Sequence, residues 1–180
     1  MSTKQKDNYL ILLDGTAYLY RAFHALPPLT NKKGENTGAI HGFLKALNKI
    51  LEDFSPEHIG IVFDAKGKNF RHKIYSEYKA NRSKMPDELS EQIPKLYEIL
   101  DLLGFPPIIV EGVEADDVIG TLSNKYKKNK NIKIFSGDKD FAQLVDSNVV
   151  IINPVSLDIM DEGAVKKKFD IEAKNIIDYL

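Results

Sequence analysis

The sequence predicts an α/β domain with a largely parallel central sheet, on three observations. Short apolar runs, too brief for helices, recur at Tyr9–Leu13, Ile59–Phe63, Pro107–Val110, Ile132–Phe135 and Val149–Ile152. Stretches with helical apolar spacing separate them, and strands that alternate with helices build parallel sheets. Four of the runs lead into acids: Asp14, Asp64, the cluster from Glu111 to Asp117, and Asp138 with Asp140. Ligands of open α/β sheets bind beyond the carboxyl ends of the strands, so this placement predicts a site there.

Taken in order, Tyr9-Leu10-Ile11-Leu12-Leu13 is a buried strand that ends on Asp14-Gly15-Thr16. A helix is expected through Tyr18, Tyr20, Arg21 and Phe23, stopping before Pro27-Pro28, and Leu29 to Thr37 is a loop with Asn31 and Gly34 as turn formers. Ile40, Phe43, Leu44, Leu47, Ile50 and Leu51 recur at helical spacing, which makes Gly38 to Phe54 an amphipathic helix. The second strand ends at Asp64, and a basic segment then runs to Met85-Pro86. Asp87 to Gly104 is expected as helix, with a kink or late start at Pro94 and a C-terminal cap at Gly104. The third strand feeds directly into Gly112–Gly120, where Glu114, Asp116 and Asp117 precede an apolar run; helix continues from Val118 to Lys128. After the fourth strand come Asp138-Lys139-Asp140, a short helix at Phe141–Val145, the fifth strand, a short strand within Ser156–Met160, and two helical pieces from Asp161 to Leu180.

At 180 residues the chain suits a single domain with a substantial core. Its 43% hydrophobic and 28% charged residues are ordinary for a globular protein. The lack of cysteine excludes disulfides and thiolate metal sites. No apolar stretch approaches the ~18 residues that span a bilayer. Residues 1–8 are polar, without the apolar core of a signal peptide, and are expected as a disordered tail on a cytoplasmic protein. The formal net charge of −1 conceals a separation: Lys66 to Lys84 carries seven Lys or Arg against the single acid Glu77. Local asymmetry of this kind points to an anionic partner.

Asp14, Asp64, Glu114, Asp116, Asp117, Asp138 and Asp140 would converge on one edge of the sheet. Carboxylates this close repel one another unless a cation sits among them, although acids in a first helical turn also complement the helix dipole. An all-oxygen pocket selects hard cations such as Mg²⁺ or Mn²⁺, and two such ions roughly 4 Å apart support phosphodiester hydrolysis. His24, His41, His58 and His72 have no metal-ligand spacing and are read as structural or surface residues. There is no P-loop and no dinucleotide-binding glycine pattern. A phosphoaspartyl mechanism of the haloacid-dehalogenase kind is excluded, because the nucleophile position two residues before Asp14 is Leu12. In the basic segment, Phe70-Arg71-His72-Lys73-Ile74-Tyr75 and Tyr78-Lys79-Ala80-Asn81-Arg82 interleave aromatics with cations, a pattern suited to phosphates and unpaired bases. The competing reading is a solvated basic helix with Phe70 and Tyr75 in a buried stripe.

Together these motifs resemble the 5′-nuclease domain of bacterial DNA polymerase I, related to flap endonucleases, from Tyr9 to Leu180. The resemblance rests on Leu13-Asp14-Gly15, Tyr20-Arg21-Ala22-Phe23, Val62-Phe63-Asp64, Phe70-Arg71-His72, Tyr78 to Arg82, Glu114-Ala115-Asp116-Asp117 and Gly137 to Val145. It implies a PIN-like (resolvase-like) three-layer α/β/α fold over residues 9–180, with a twisted, mostly parallel sheet and a basic arch at about 65–93. It also implies Mg²⁺- or Mn²⁺-dependent hydrolysis of DNA with two ions, acting on 5′ flaps and 5′-ended duplexes as a monomer. By the same resemblance, Asp14, Asp64, Glu114, Asp116 and Asp138 would serve the first ion, with Asp117 and Asp140 toward the second. Arg21, Arg71, Lys79 and Arg82 would contact DNA, Lys79 and Arg82 close to the scissile bond, and Tyr78 would stack on a terminal base. Family sequences continue past the equivalent of Leu180 into a Gly-Asp-x-x-Asp-Asn segment and a helix–hairpin–helix region; this sequence is expected to stop short of both. Two further readings stay open here: a weakly active or inactive flap-binding module, and a PIN-like ribonuclease.

Overall fold

A computed structural model describes residues 9–81 and 83–179. The tail 1–8, Arg82 and Leu180 lie outside the described residues, and with them the expected disorder of the tail and the expected DNA contact of Arg82. Six strands, β1 (Tyr9–Asp14), β2 (His58–Phe63), β3 (Ile108–Ile109), β4 (Asn131–Phe135), β5 (Val149–Ile152) and β6 (Ile159–Met160), form one sheet in the order 3-2-1-4-5-6. The first five run parallel, and β6 closes one edge antiparallel to β5. The third and sixth strands are two residues long, shorter than the apolar runs that predicted them.

The helices are α1 (Gly15–Ala25), α2 (Gly38–Phe54), α3 (Phe70–Ile74), α4 (Asp87–Ser90), α5 (Ile93–Leu102), α6 (Ala115–Tyr126), α7 (Glu162–Phe169) and α8 (Ile176–Tyr179). Strand β1 shows why two helical layers are needed. Ile11 and Leu13 join a cluster with α1, α2, α4 and α5, while Leu10 and Leu12 join one with α6, α7 and α8. Successive side chains of a strand point to opposite faces, so an unbroken apolar run is stable only when both are covered. The α1 and α2 helices cross closely at Gly42, where a Cβ would lie 2.9 Å from that of Ala22. Gln92 is buried between helices; its Oε1 accepts the N–H groups of Ala39 at 2.9 Å and Ile40 at 3.3 Å, and its Nε2 donates to the Glu88 carbonyl at 2.8 Å. It thereby satisfies donors left open at the start of α2.

Three local expectations change. The helix expected from Asp87 to Gly104 is split into α4 and α5, because Pro94 at the first turn of α5 lacks an N–H and starts a new helix. The segment expected as helix at Phe141–Val145 is a 3₁₀ turn at Lys139–Leu144, opened by Asp138. The last stretch adds a 3₁₀ turn at Ala173–Asn175 between its helical pieces. The sheet order reverses between β1 and β4, and such a switch point opens a crevice at the carboxyl ends of the strands.

Candidate active site

The acids stand at this crevice because each is also a capping or turn residue. Asp14 ends β1 and accepts the Ala17 N–H at 3.0 Å, capping α1. Its second oxygen accepts the Ser136 hydroxyl at 2.9 Å, across the switch point. Ser136 Oγ in turn accepts the Asp138 N–H at 3.1 Å, so one buried hydroxyl fixes two acids. Asp64 follows β2; its N–H donates to Thr16 Oγ1 at 2.8 Å and its Oδ1 accepts the Ala115 N–H at 2.8 Å, at the start of α6. Asp116 Oδ1 accepts the Asp117 N–H at 2.8 Å, and Asp138 Oδ1 accepts the Asp140 N–H at 2.9 Å. The sequence patterns do not single out Ser136 and Thr16, whose only local signals are a position at a strand end and a place two residues after Asp14.

Two hollows meet at these side chains. A cleft of about 1090 Å³ is lined by Asp14, Asp64, Glu114, Asp116 and Asp138 together with Lys66, Lys79 and Lys84. A second, of about 330 Å³, is lined by Asp116, Asp117, Asp138, Asp140 and Arg71. Asp116 and Asp138 line both.

The basic segment lies on the acids. Arg71 binds Asp117 through both guanidinium arms, at 2.6 and 2.7 Å, and reaches Glu114 at 3.5 Å. Lys79 Nζ donates to Glu114 Oε1 at 2.6 Å, and the Tyr78 hydroxyl donates to Glu114 Oε2 at 3.0 Å. Lys79 holds this position with φ +55°, a left-handed conformation that costs a side-chain-bearing residue about 1–2 kcal/mol. Phe70 and Tyr75 are 42% and 61% exposed, which rules out the buried aromatic stripe. Arg21 is exposed on α1 and lines neither hollow, nor does Glu111. His72 shares a hydrogen bond with Asn69 at 2.8 Å, and the other three histidines are exposed.

The electrostatics separate the acids into two kinds. Burial pushes the Asp14 carboxyl above its ordinary range; hydrogen bonds from Ala17 and Ser136 oppose this, and the charges of Asp64 and Asp138 add to it. Burial and the neighbouring Asp117 and Glu114 likewise raise Asp116. Asp117 is held low, chiefly by the Arg71 hydrogen bonds. For Glu114, burial pushes upward but is outweighed by Lys79 and Tyr78. Burial, with the charge of Asp64, pushes the Tyr97 hydroxyl in the main cleft to about 12.

Among the described residues, Glu114 and Asp117 thus have ion-pair partners and Asp14 and Asp116 have none. Hard oxygen donors crowded in this way suit a divalent cation. Among the described residues, no group of three or more such side chains is already arranged to hold a metal ion. A carboxylic acid with a raised folded pKa destabilises the fold above that pKa, and the cost disappears as pH falls through it. In chelator at pH 7, Asp14→Asn should therefore melt higher than wild type. The gap should close toward about pH 4. Thermal melts at both pH values check this, and equal melting temperatures at pH 7 contradict it.

The family model described as 5′-3′ exonuclease, N-terminal resolvase-like domain, matches residues 9–170. A 5′-3′ exonuclease of Aquifex aeolicus is 46% identical over 172 residues, spanning 95% of this chain and 60% of that protein. A DNA polymerase I of Pseudomonas aeruginosa is 46% identical over 172 residues, spanning 95% of this chain and 19% of that protein. The chain therefore covers less than two thirds of the length of either relative. Among solved structures, T5 5′-exonuclease with bound zinc ions matches with a TM-score of 0.76 at 19% identity, covering 94% of this chain and 64% of that one. The catalytic core of Rad2 in complex with DNA substrate matches with a TM-score of 0.55 at 18% identity, covering 95% of this chain and 53% of that one. At such identities the structural likeness establishes a shared fold, and that fold is the resolvase-like α/β/α architecture.

Proposed function

The chain belongs to the 5′-3′ exonuclease family, as its N-terminal resolvase-like domain, and from that premise we propose that it hydrolyses DNA phosphodiester bonds at 5′ ends and 5′ flaps. The observation that carries this reading is the convergence of Asp14, Asp64, Glu114, Asp116 and Asp138 in one cleft with a basic, aromatic segment beside it. Asp14, Asp64, Asp116 and Asp138 would hold Mg²⁺ or Mn²⁺ in the main cleft, with Asp140 toward a second ion. Bound there, such ions polarise a phosphodiester oxygen and lower the pKa of water.

The chain's own residues account for the remainder. Ser136 and Ala17 fix the Asp14 carboxylate, and Ala115 fixes that of Asp64, so the acids are oriented before substrate arrives. Lys66, Lys79 and Lys84 offer cations to phosphates within the same cleft. The exposed Phe70 and Tyr75 offer faces to unpaired bases. For Lys79 and Tyr78 to reach DNA they must leave Glu114. A cytoplasmic, monomeric protein is part of the same reading; among the described residues, no helix is long and apolar enough to cross a membrane.

The test is cleavage of a 5′-flap duplex. Product should form with Mg²⁺ or Mn²⁺ and stop on addition of EDTA; cleavage indifferent to EDTA overturns the proposal. Flap binding without product, even in Mn²⁺ at high protein concentration, would instead mark a binding module. That second reading is favoured by the cationic side chains already seated on Glu114 and Asp117.

A further inference from the structure

We infer that Arg71 is a positioning residue: it withholds Asp117 from cation binding and pins the base of the basic segment to the first turn of α6, and it does not act as a phosphate contact. The inference deepens the nuclease reading and rests on it.

The hydrogen bonding of Asp117 is already committed. Its Oδ1 accepts from Arg71 Nη2 at 2.7 Å, and its Oδ2 accepts from Arg71 Nη1 at 2.6 Å and from the Glu114 N–H at 3.0 Å. A carboxylate gripped by a planar fork and a backbone donor has little capacity left for an ion. Asp116, one residue earlier, has no ion-pair partner among the described residues and lines both hollows. Two adjacent acids in one helical turn are thereby given different work. One is neutralised by the protein and the other is left for a cation.

The guanidinium is equally committed. It lies 4.7 Å from the Phe70 ring centroid and 5.9 Å from that of Tyr78, while its in-plane donors point at Asp117 and Glu114. A backbone bond runs alongside, from the Phe70 N–H to the Gly112 carbonyl at 2.9 Å. The pair links residues 46 apart in sequence and is only partly exposed, at 29% and 26%. Such a pair is stronger than a solvated surface ion pair, and releasing Arg71 to a phosphate would strand Asp117 among the other acids.

Charge arithmetic supplies the test. Arg71 and Asp117 cancel, so removing one charge shifts cation affinity and removing both restores it. Mn²⁺ titration followed by the EPR signal of the free ion should show Arg71→Gln binding several-fold more tightly than wild type. Asp117→Asn should bind more weakly, and the double variant should return to within about twofold of wild type. In EDTA, the salt dependence of flap-DNA binding should keep its slope in Arg71→Gln. A slope reduced by about 0.7–0.9, the loss of one phosphate contact, with unchanged Mn²⁺ affinity overturns the inference.

Arg71→Lys separates the fork from the charge. A lysine serves a phosphate but cannot grip both oxygens of a carboxylate, so faster amide exchange over Phe70–Ile74 is expected, and wild-type exchange there contradicts the pin. Failure of wild type to bind both Mn²⁺ and flap DNA would count against the nuclease reading itself. The pin is then judged by exchange in Asp117→Asn, which must rise over Phe70–Ile74 for the inference to stand.

Discussion

Asp116→Ala is expected to reduce metal-dependent cleavage of a 5′-flap duplex by about 10³-fold or more, with no loss of thermal stability. The magnitude follows from the place of Asp116 on both hollows. A variant that weakens cation binding in both loses several kcal/mol of transition-state stabilisation, and each ~1.4 kcal/mol is a factor of ten in rate. The stability half of the prediction follows from its charge. Asp116 stands at the surface with its carboxyl partly shielded from water; that shielding and the charges of Asp117 and Glu114 raise its pKa, so its removal relieves repulsion in the metal-free protein. Single-turnover cleavage and a thermal melt of the same preparation check both halves. Retention of a rate within tenfold of wild type would contradict the placement of Asp116 at the reaction. Asp140→Ala, which touches only the smaller hollow, should lose less.

Gly15→Ala is expected to be the most disruptive single methyl group that can be added near the site. A Cβ at Gly15 would lie 2.7, 2.8 and 2.9 Å from three atoms of the Phe63 ring. That ring is 2% exposed, stacked on Phe43 at 5.8 Å and set edge-on against Tyr97 at 4.8 Å, so it has nowhere to turn. Overpacking of this kind costs about 1–3 kcal/mol, or about 2–12 °C of melting temperature in a chain of this size. Activity should fall further than stability, because Asp14 directly precedes Gly15 and Asp64 directly follows Phe63. A displacement of about 1 Å can cost about 10²-fold in rate. Thermal melts and rates taken well below the melting temperature test this; a native melt and native rate would refute it. Phe63→Leu in the same chain should recover part of the stability by giving the methyl room.

Much of this architecture is local information. A strand buried on both faces must be apolar at every position, so Tyr9–Leu13 and Ile132–Phe135 announce themselves, and the 3.6-residue period of α2 does the same. Acids at strand ends carry further, because a parallel sheet places every such end at one edge whatever the strand order. The sequence alone therefore determines the α/β class, the sheet's core strands and the acids that follow their carboxyl ends. Helix boundaries within Asp87–Gly104 and the 3₁₀ geometry at Lys139–Leu144 are less legible, since they turn on single backbone groups and not on a period.

What only the tertiary structure decides is which charges meet. Ser136 joins Asp14 from 122 residues away, Arg71 takes Asp117 across 46 and Lys79 takes Glu114 across 35. No periodicity encodes such pairings; they depend on where loops deliver side chains after the sheet has closed. Asp116 and Asp117 are the same residue type, adjacent, in the same helical turn. Only one guanidinium tells them apart: it pairs with Asp117, while Asp116 has no ion-pair partner among the described residues.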